Sequence, residues 1–348
     1  MNKVYIIIVN YNNVQVTIEC LESLLKSAYK NFQIFLVDNS SDKQSIHQLI
    51  NWAGGYEYYD VKTEHRDLVF PLEDKPINYC VVKDDEFGAG RAAFKQNLII
   101  IQAKNNGFAA ANNIVLSYIS VNASAGELIW VLNNDTVVEK QTLNNLVNAF
   151  NKSDDKRILL AAKLREYSQP IVIQAIVGKY NKWLGKHTHI GRGETDQGQY
   201  DSYRPGTMDY IVGASIFLPF SFLEDVGLMC EDYFLYFEEL DWMQSGRKHG
   251  YKIALVPDAI VYHREGTSII GEKKNKQNIV TAEYYSIVNR VRFIRKWYPV
   301  SLFTVMAGVV FALVKRVFQG KIHLARRSAV TILGILFRVG STLPDDKL

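Results

Sequence analysis

The chain has little with which to staple or anchor itself. Its three cysteines, Cys20, Cys80 and Cys230, are too few and too scattered for a disulfide framework or a zinc knuckle. They fit a reducing compartment. With 22 Gly and 8 Pro in 348 residues, a collagen-like or other fibrous chain is excluded. Apolar residues make 48% and charged residues 22%, which excludes wholesale disorder. Long hydrophobic runs are missing too. The N-terminal run covers residues 4–9, too short for a signal-peptide core, and no small-residue cleavage site follows. In the tail, residues 300–314 and 329–337 are apolar, and neither run reaches the roughly 20 residues of a spanning helix. The chain has no internal repeat and no P-loop.

What is present is length for about two domains, or for one large α/β domain with appendages. Charge is unevenly spread. From residue 281 onward there are eleven Lys/Arg and three Asp/Glu, a net +8; the whole chain carries +4, so the first 280 residues carry −4. A basic tail meets nucleic acid or an anionic membrane face. Here the basic residues alternate with long aliphatic runs, which suits lipid better and gives an expectation of no nucleic-acid partner. The same helices can instead pack on the body or on another subunit.

The first 40 residues read as strand, helix, strand. Residues 4–9 form an Ile/Val-rich run suited to a strand buried on both faces. Val16, Cys20, Leu21, Leu24 and Leu25 recur at helical spacing, and residues 32–37 form a second buried strand. Such a β-α-β start implies a parallel sheet, with ligands beyond the carboxyl ends of its strands. Further strands are expected at 98–102, 128–132, 210–218, 251–256 and 259–262. Helices are expected after Asn113 through Ile119, from about 141, and over 234–248. Residues 52–97 are irregular and read as an insertion. Within them, Gly88 to Ala93 superficially matches a dinucleotide fingerprint, but no apolar strand precedes it, so a loop is the better reading.

Three places carry candidate chemistry. Asp135 follows a buried strand, where an unpaired carboxylate is costly. It suits a hard cation such as Mg²⁺ or Mn²⁺, or a helix cap, equally well. His263 stands at the exit of the last strand. Beside Asp135 it would complete a nitrogen and oxygen pair suited to Mn²⁺; alone it is a surface or core histidine. Glu238, Glu239 and Asp241 place three carboxylates within four residues among aromatics. Their mutual repulsion can raise the pKa of one of them and make it a general base. A helix N-terminus also favours acids through its dipole.

Taken together, these pieces resemble the inverting family 2 glycosyltransferases of GT-A fold, in particular their bacterial rhamnosyltransferase-like branch. Val9-Asn10-Tyr11-Asn12 is similar to the family's first strand end. Val37-Asp38-Asn39-Ser40-Ser41-Asp42 resembles its V-D-N-x-S-x-D. Asn105-Asn106-Gly107-Phe108 with Asn112-Asn113 resembles N-x-G-F-x-x-x-N-N, and Leu132-Asn133-Asn134-Asp135-Thr136 resembles the D-x-D site in an N-x-D form. Residues 234–242 resemble F-L-Y-x-E-D-x-D. Residues 191–199 resemble a G-x-G-E-x-D-x-G-Q loop of that branch. The order and spacing of these motifs over residues 3–297 make the combination specific.

The resemblance implies a Rossmann-like, mostly parallel sheet flanked by helices, over residues 1–275, and the apolar runs flanked by Lys and Arg read as a helical, membrane-facing tail over 276–348. It implies a hexosyltransferase-type enzyme that moves a sugar from a UDP- or dTDP-sugar to a hydroxyl of a lipid-linked or growing bacterial surface glycan. Asn10, Tyr11, Asn12, Asp38, Ser40, Asp42, Asn105, Gly107, Phe108, Asn112, Asn133 and Asn134 would bind the nucleotide sugar, with Asp38 accepting the base N–H. Asp135, His263 and Asn133 would hold divalent Mg or Mn. Glu239 occupies the position of the catalytic Asp, with Glu238 and Asp241 as alternatives. Gly213, Ala214 and Trp242 would meet the acceptor. A site on the inner face of a bacterial cytoplasmic membrane, and a homodimer, would follow from the tail. The competing expectations are a metal-dependent nucleotidyltransferase or phosphohydrolase, and a non-catalytic nucleotide- or glycan-binding subunit of a polysaccharide assembly complex.

Overall fold

The computed structural model describes residues 1–40, 42–87, 93–265 and 276–337. Its strands are β1 (Val4–Asn10), β2 (Phe32–Asp38), β3 (Tyr79–Lys83), β4 (Leu98–Gln102), β5 (Leu128–Asn133), β6 (Thr136–Val138), β7 (Ile158–Glu166), β8 (Ile173–Ala175), β9 (Gly178–Asn181), β10 (Lys186–His189), β11 (Asp209–Tyr210), β12 (Ser215–Pro219) and β13 (Lys252–His263). Its helices are α1 (Val14–Leu25), α2 (Lys43–Gly54), α3 (Arg66–Val69), α4 (Phe108–Asn122), α5 (Thr142–Lys152), α6 (Phe220–Val226), α7 (Glu238–Lys248), α8 (Lys276–Trp297), α9 (Leu302–Phe318) and α10 (Ile322–Phe337).

Ten strands form one mixed sheet in the order β3-β4-β2-β1-β5-β12-β7-β13-β6, with β8 paired to β7. From β3 to β5 all neighbours are parallel. Strand β12 is antiparallel to both β5 and β7. Side chains alternate across the sheet, as the two-residue period of a strand requires. Val4, Ile6 and Ile8 point to the face covered by α1, α2, α3 and α5. Tyr5 and Ile7 point to the face covered by α4, α6, α7 and α8. Strand β1 has β2 on one side and β5 on the other, so the chain reverses its direction of winding at β1. Open α/β sheets bind ligands at that point.

Four departures from the sequence reading have local causes. The strand expected over 210–218 is broken. Asp209 and Tyr210 pair with β9 in a separate three-stranded sheet, β10-β9-β11, and Ser215–Pro219 pairs with β5, so residues 211–214 carry the chain between the two sheets. The strands expected at 251–256 and 259–262 are one strand, β13, with a register shift against β7 between Val256 and Ile260. The helix expected from 234 begins at Glu238, because Phe234, Tyr236 and Phe237 take φ of 59°, 67° and 76°. Residues 52–97 contain α3 and β3, and β3 is the edge of the main sheet. Of the apparent dinucleotide fingerprint at 88–93, residues 88–92 lie outside the described residues.

The described part of the tail holds three α-helices, α8, α9 and α10. Among the described residues, Pro299–Phe318 is long and apolar enough, by length and composition, to cross a membrane, with a mean hydropathy of 1.9. That exceeds the fifteen-residue run read from the sequence, because the helical segment extends past Val314. One hydrophobic cluster runs from Tyr5 and Phe35 in the sheet through Leu240 to Ile287, Val305, Leu324 and Ile332 in the tail.

Candidate active site

Asn10 and Asp38 end adjacent parallel strands and are register partners. Asn10 is fully buried, and its amide donates to Asp38 Oδ1 (2.8 Å), Ser40 Oγ (3.1 Å) and Ser45 Oγ (2.9 Å). Asp38 Oδ1 also accepts from Ser40 Oγ (2.6 Å) and Ser45 Oγ (2.9 Å), and from Ser40 N at 3.4 Å. These bonds all fall on Oδ1 and hold the carboxylate in place at the strand end. Behind Asn10, Thr17 Oγ1 donates to Asn10 Oδ1 (2.8 Å) and accepts from Asn134 Nδ2 (2.8 Å). Asn134 therefore buttresses the base of the site. Asn12 N donates to Ser40 Oγ (2.9 Å), and Tyr11 is half-buried at the turn. Asp42 caps α2, accepting from Gln44 N at 2.9 Å.

Asn133 stands opposite Val9 on β5, one residue short of the level of Asn10. The chain then turns at Asn134 and Asp135 into β6, whose Thr136 pairs with His263. That pairing brings residues 128 apart in sequence together: His263 Nε2 lies 3.2 Å from Asp135 Oδ1. Both are buried. Gln174 fixes the imidazole, with Oε1 2.6 Å from His263 Nδ1 and Nε2 donating to the His263 carbonyl at 3.1 Å. With Nδ1 donating to Gln174, Nε2 is the nitrogen turned to Asp135: protonated, it donates to Oδ1, and neutral, it offers its lone pair to a cation beside that carboxylate. Burial pulls the His263 pKa down, but the Asp135 charge overrides it and the net shift is upward. One carboxylate and one oriented imidazole suit Mn²⁺ or Mg²⁺ whose other positions are filled by phosphate oxygens and water. Among the described residues no group of three His, Cys, Asp or Glu side chains is placed to hold a metal ion.

The third wall is the first turn of α7 and the loop before it. Gly107 N–H–side backbone meets that loop closely: Phe108 N donates to the Phe234 carbonyl at 3.0 Å. A Cβ on Gly107 would lie 2.6 Å from that carbonyl oxygen, and its φ of +98° also favours glycine. Asn105 Oδ1 accepts from Asn39 Nδ2 (3.1 Å) and Gly107 N (3.2 Å), tying this turn to the end of β2. The order Asn39, Asn105, Gly107, Phe234 thus links the Asp38 and Glu239 regions. Asn112 Nδ2 donates to the Phe108 carbonyl within α4 (2.9 Å), and Asn113 holds Met229 and Glu231.

Glu238 is buried and Glu239 half-buried. Burial, and then the Glu239 charge, push the Glu238 pKa up; burial pushes Glu239 up as well. A Cβ on Gly213 would lie 3.7 Å from Glu239 Cδ, so the missing side chain leaves room beside that carboxyl. Asp241 is differently placed. Its Oδ1 accepts from Tyr233 Oη (2.9 Å) and Trp297 Nε1 (2.6 Å), and its Oδ2 from Lys296 Nζ (2.8 Å). A carboxylate so paired serves as an anchor, and the structure does not bring it together with Glu239 as a free base. Trp242 is buried edge-on to Phe222 and donates to the Gly227 carbonyl, so it packs on α6. Ala214 is buried, and its carbonyl accepts from Asn133 N at 3.0 Å. The 191–199 loop is a clamp: Asp196 pairs with Lys163 at 2.9 Å and Arg165 at 2.6 Å on β7.

Sequence reasoning missed Thr17, Ser45, Gln174, Tyr210 and Asn289. Burial, and then the Glu239 charge, raise the Tyr210 pKa. Asn289 on α8 is fully buried and donates to the carbonyls of Tyr233 (2.6 Å), Leu235 (2.8 Å) and Tyr236 (3.2 Å). A lone Asn in an amphipathic helix carries no motif that would have flagged it.

Residues 5–67 match the family model described as Glycosyl transferase family 2. The matched segment holds Asn10, Asp38, Ser40 and Asp42. GalNAc-T7, in a structure with UDP, GalNAc and Mn²⁺, is 13% identical, with a TM-score of 0.51 over 82% of this chain and 48% of that one. TarS of S. aureus is 14% identical, with a TM-score of 0.42 over 82% of this chain and 39% of that one. Mannosyltransferase PcManGT from Pyrobaculum calidifontis, with GDP-Man and Mn²⁺, is 12% identical, with a TM-score of 0.48 over 97% of this chain and 88% of that one. The chain thus spans less than half the length of TarS and GalNAc-T7. None of the curated proteins compared matches it. The fold is a GT-A-like mixed α/β sheet flanked by helices, with helices at the C-terminus. The family match covers β1, α1, β2 and α2 of that fold.

Proposed function

We propose that this protein is an inverting glycosyltransferase that moves a sugar from a UDP- or dTDP-sugar to an acceptor hydroxyl. The catalytic unit is residues 1–275, completed by the first helix of the 276–348 tail. The observation that carries the reading is the convergence of Asn10, Asp38, Asn133 and Asp135 at the carboxyl ends of β1, β2 and β5, where the winding of the sheet reverses.

Asp38 Oδ2 accepts the imide N–H of a uracil or thymine ring, while the bonds on Oδ1 hold the carboxylate in place. Asp135 and His263 would hold a divalent cation, with Asn133 beside them. When bound, such a cation offsets the charge on the departing nucleoside diphosphate. Glu239 accepts the proton of the acceptor hydroxyl as its oxygen attacks the anomeric carbon. The bond to the diphosphate oxygen breaks on the opposite face through an oxocarbenium-like state. The diphosphate leaves with the bonding pair, and the single displacement inverts the centre. The open space at Gly213 admits the acceptor beside Glu239. The acceptor class we assign is a growing or lipid-linked bacterial surface glycan, and dTDP-rhamnose is one candidate donor.

Thermal unfolding with UDP, dTDP, GDP and CMP, each with and without Mn²⁺, tests the donor. A hundredfold excess over Kd stabilises the fold by about 2.7 kcal/mol. A metal-dependent rise with UDP or dTDP, abolished in Asp38→Ala, is the expected result. A rise with GDP or CMP overturns the base assignment at Asp38. No rise with any nucleotide overturns the transferase reading.

A further inference from the structure

Two chain segments far apart in sequence present one apolar surface. On α9 the outward residues are Phe303, Val310, Phe311, Val314, Val317 and Phe318, at the three- and four-residue spacing of a single helix face. Phe303 is 87% exposed, Phe311 73% and Phe318 84%, whereas Val305 and Val309 on the opposite side are fully buried. The turn between β9 and β10 adds Trp183 and Leu184, about half exposed. This turn is bound to the helix: Thr304 Oγ1 donates to the Trp183 carbonyl at 2.6 Å. Gly185 packs so closely that a Cβ there would lie 3.0 Å from Val305 and 2.9 Å from Arg290. On α10, Ile322, Val330, Leu333 and Phe337 are likewise outward. Monomeric soluble proteins rarely leave so much contiguous apolar surface bare.

We infer that this surface lies in the plane of an anionic membrane, with α9 and the Trp183–Leu184 turn inserted at the headgroup level. Charge selects the occupant. Exposed cations, Lys315, Arg326 and Lys186, accompany the apolar residues, and the chain from residue 281 onward carries net +8. A second copy would bring two such tails face to face and repel, whereas anionic headgroups attract them. Trp is favoured at the boundary of water and lipid. The packing selects the orientation. Helix α9 is pinned at Thr304 and buries Val305 and Val309 against the body. A helix crossing the bilayer would have to give up both, so α9 lies along the surface although its length permits spanning. The inference rests on the exposed face alone and is independent of the transfer chemistry.

Flotation of the full chain with phosphatidylcholine vesicles, with and without phosphatidylglycerol, tests it. The protein is expected to float with the anionic vesicles and to be released by alkaline carbonate. Combined Phe303→Ser, Phe311→Ser and Phe318→Ser is expected to lower vesicle affinity at least tenfold. Combined Lys315→Glu and Arg326→Glu is expected to remove the preference for anionic lipid. Circular dichroism and melting of each variant report on its fold, and the charge variant alters exposed positions only. A chain that floats with neither vesicle overturns the inference. So does retention after carbonate, which marks a spanning helix, or a dimer that the Phe→Ser variant dissolves.

Discussion

Glu239 and Glu238 are adjacent in sequence but experience different surroundings, and that difference sets what each does. Glu239 reaches the space at Gly213, and burial pushes its pKa up to about 7. A base with that pKa is protonated below neutrality, so kcat/KM falls as pH drops through about 7 and is flat above. Initial rates at limiting substrate across pH 5 to 9 check this, and an acid limb near pH 4 sinks the assignment. Glu239→Gln is expected to lower kcat by about 10²–10⁴-fold, the usual contribution of a general base, with nucleotide binding kept. Glu238 is a different case. Its folded pKa is raised, so the fold loses stability as pH rises from the ordinary carboxylate value through the folded one. Glu238→Gln removes that loss. Its Tm is expected to exceed the parent's by a few degrees at pH 9 and to match it near pH 5. Equal melting at both pH values contradicts the buried-acid reading. At this scale much was legible: Asp38, Asp135 and Glu239 stand where a buried apolar run or an aromatic stretch abruptly meets a carboxylate. Thr17, Ser45 and Gln174 were not legible, because their importance lies in which groups they touch across the fold.

A strained loop held by a helix is the main relation among the elements. Residues 234–237 include three non-glycine residues with positive φ, a conformation costing about 1–3 kcal/mol each that persists only when its surroundings enforce it. Asn289 on α8 enforces it through three carbonyls, and Lys296 and Trp297 at the end of the same helix grip Asp241. Gly107 closes the loop from the other side. Asn289→Ala leaves those carbonyls without their donor, at a cost of about 1–3 kcal/mol. Because the loop sets the first turn of α7, kcat is expected to fall at least tenfold while donor affinity stays within about twofold, a change under 0.5 kcal/mol. Calorimetric titration of nucleotide and steady-state kinetics separate the two, and an unchanged kcat would show that the loop holds itself. Periodicity revealed that a helix follows residue 237, since the acids and Leu240 and Trp242 mark it. Where it begins depends on left-handed residues that no local propensity predicts. The break in the expected 210–218 strand has a similar origin, since its two halves find partners in different sheets.

For the whole molecule, the question is whether the tail is an appendage. Composition divides the chain near residue 275, where an acidic body gives way to a basic, aliphatic tail. The packing does not follow that division. Tyr284, Ile287, Val291 and Ile294 are buried in the same cluster as Leu240, Phe237 and the sheet residues Tyr5 and Phe35, and Val305, Leu324 and Ile332 continue it. Composition reports the outer surface of the tail, which is unlike the body. It is silent on the inner surface, whose partners lie far off in sequence, as Trp183 does for Thr304, 121 residues away. Removing residues 276–348 would strip Asn289, Lys296 and Trp297 from the loop and helix they hold, and bare the apolar side of α7. A core shared in this way unfolds as one unit. Scanning calorimetry of the full chain, with detergent present to cover the outer face of α9, is therefore expected to show a single transition, with calorimetric and van't Hoff enthalpies in agreement. Two separated transitions, or a folded fragment 1–275 that still binds nucleotide with parental affinity, would return the tail to the status of an independent domain and remove α8 from the architecture of the site.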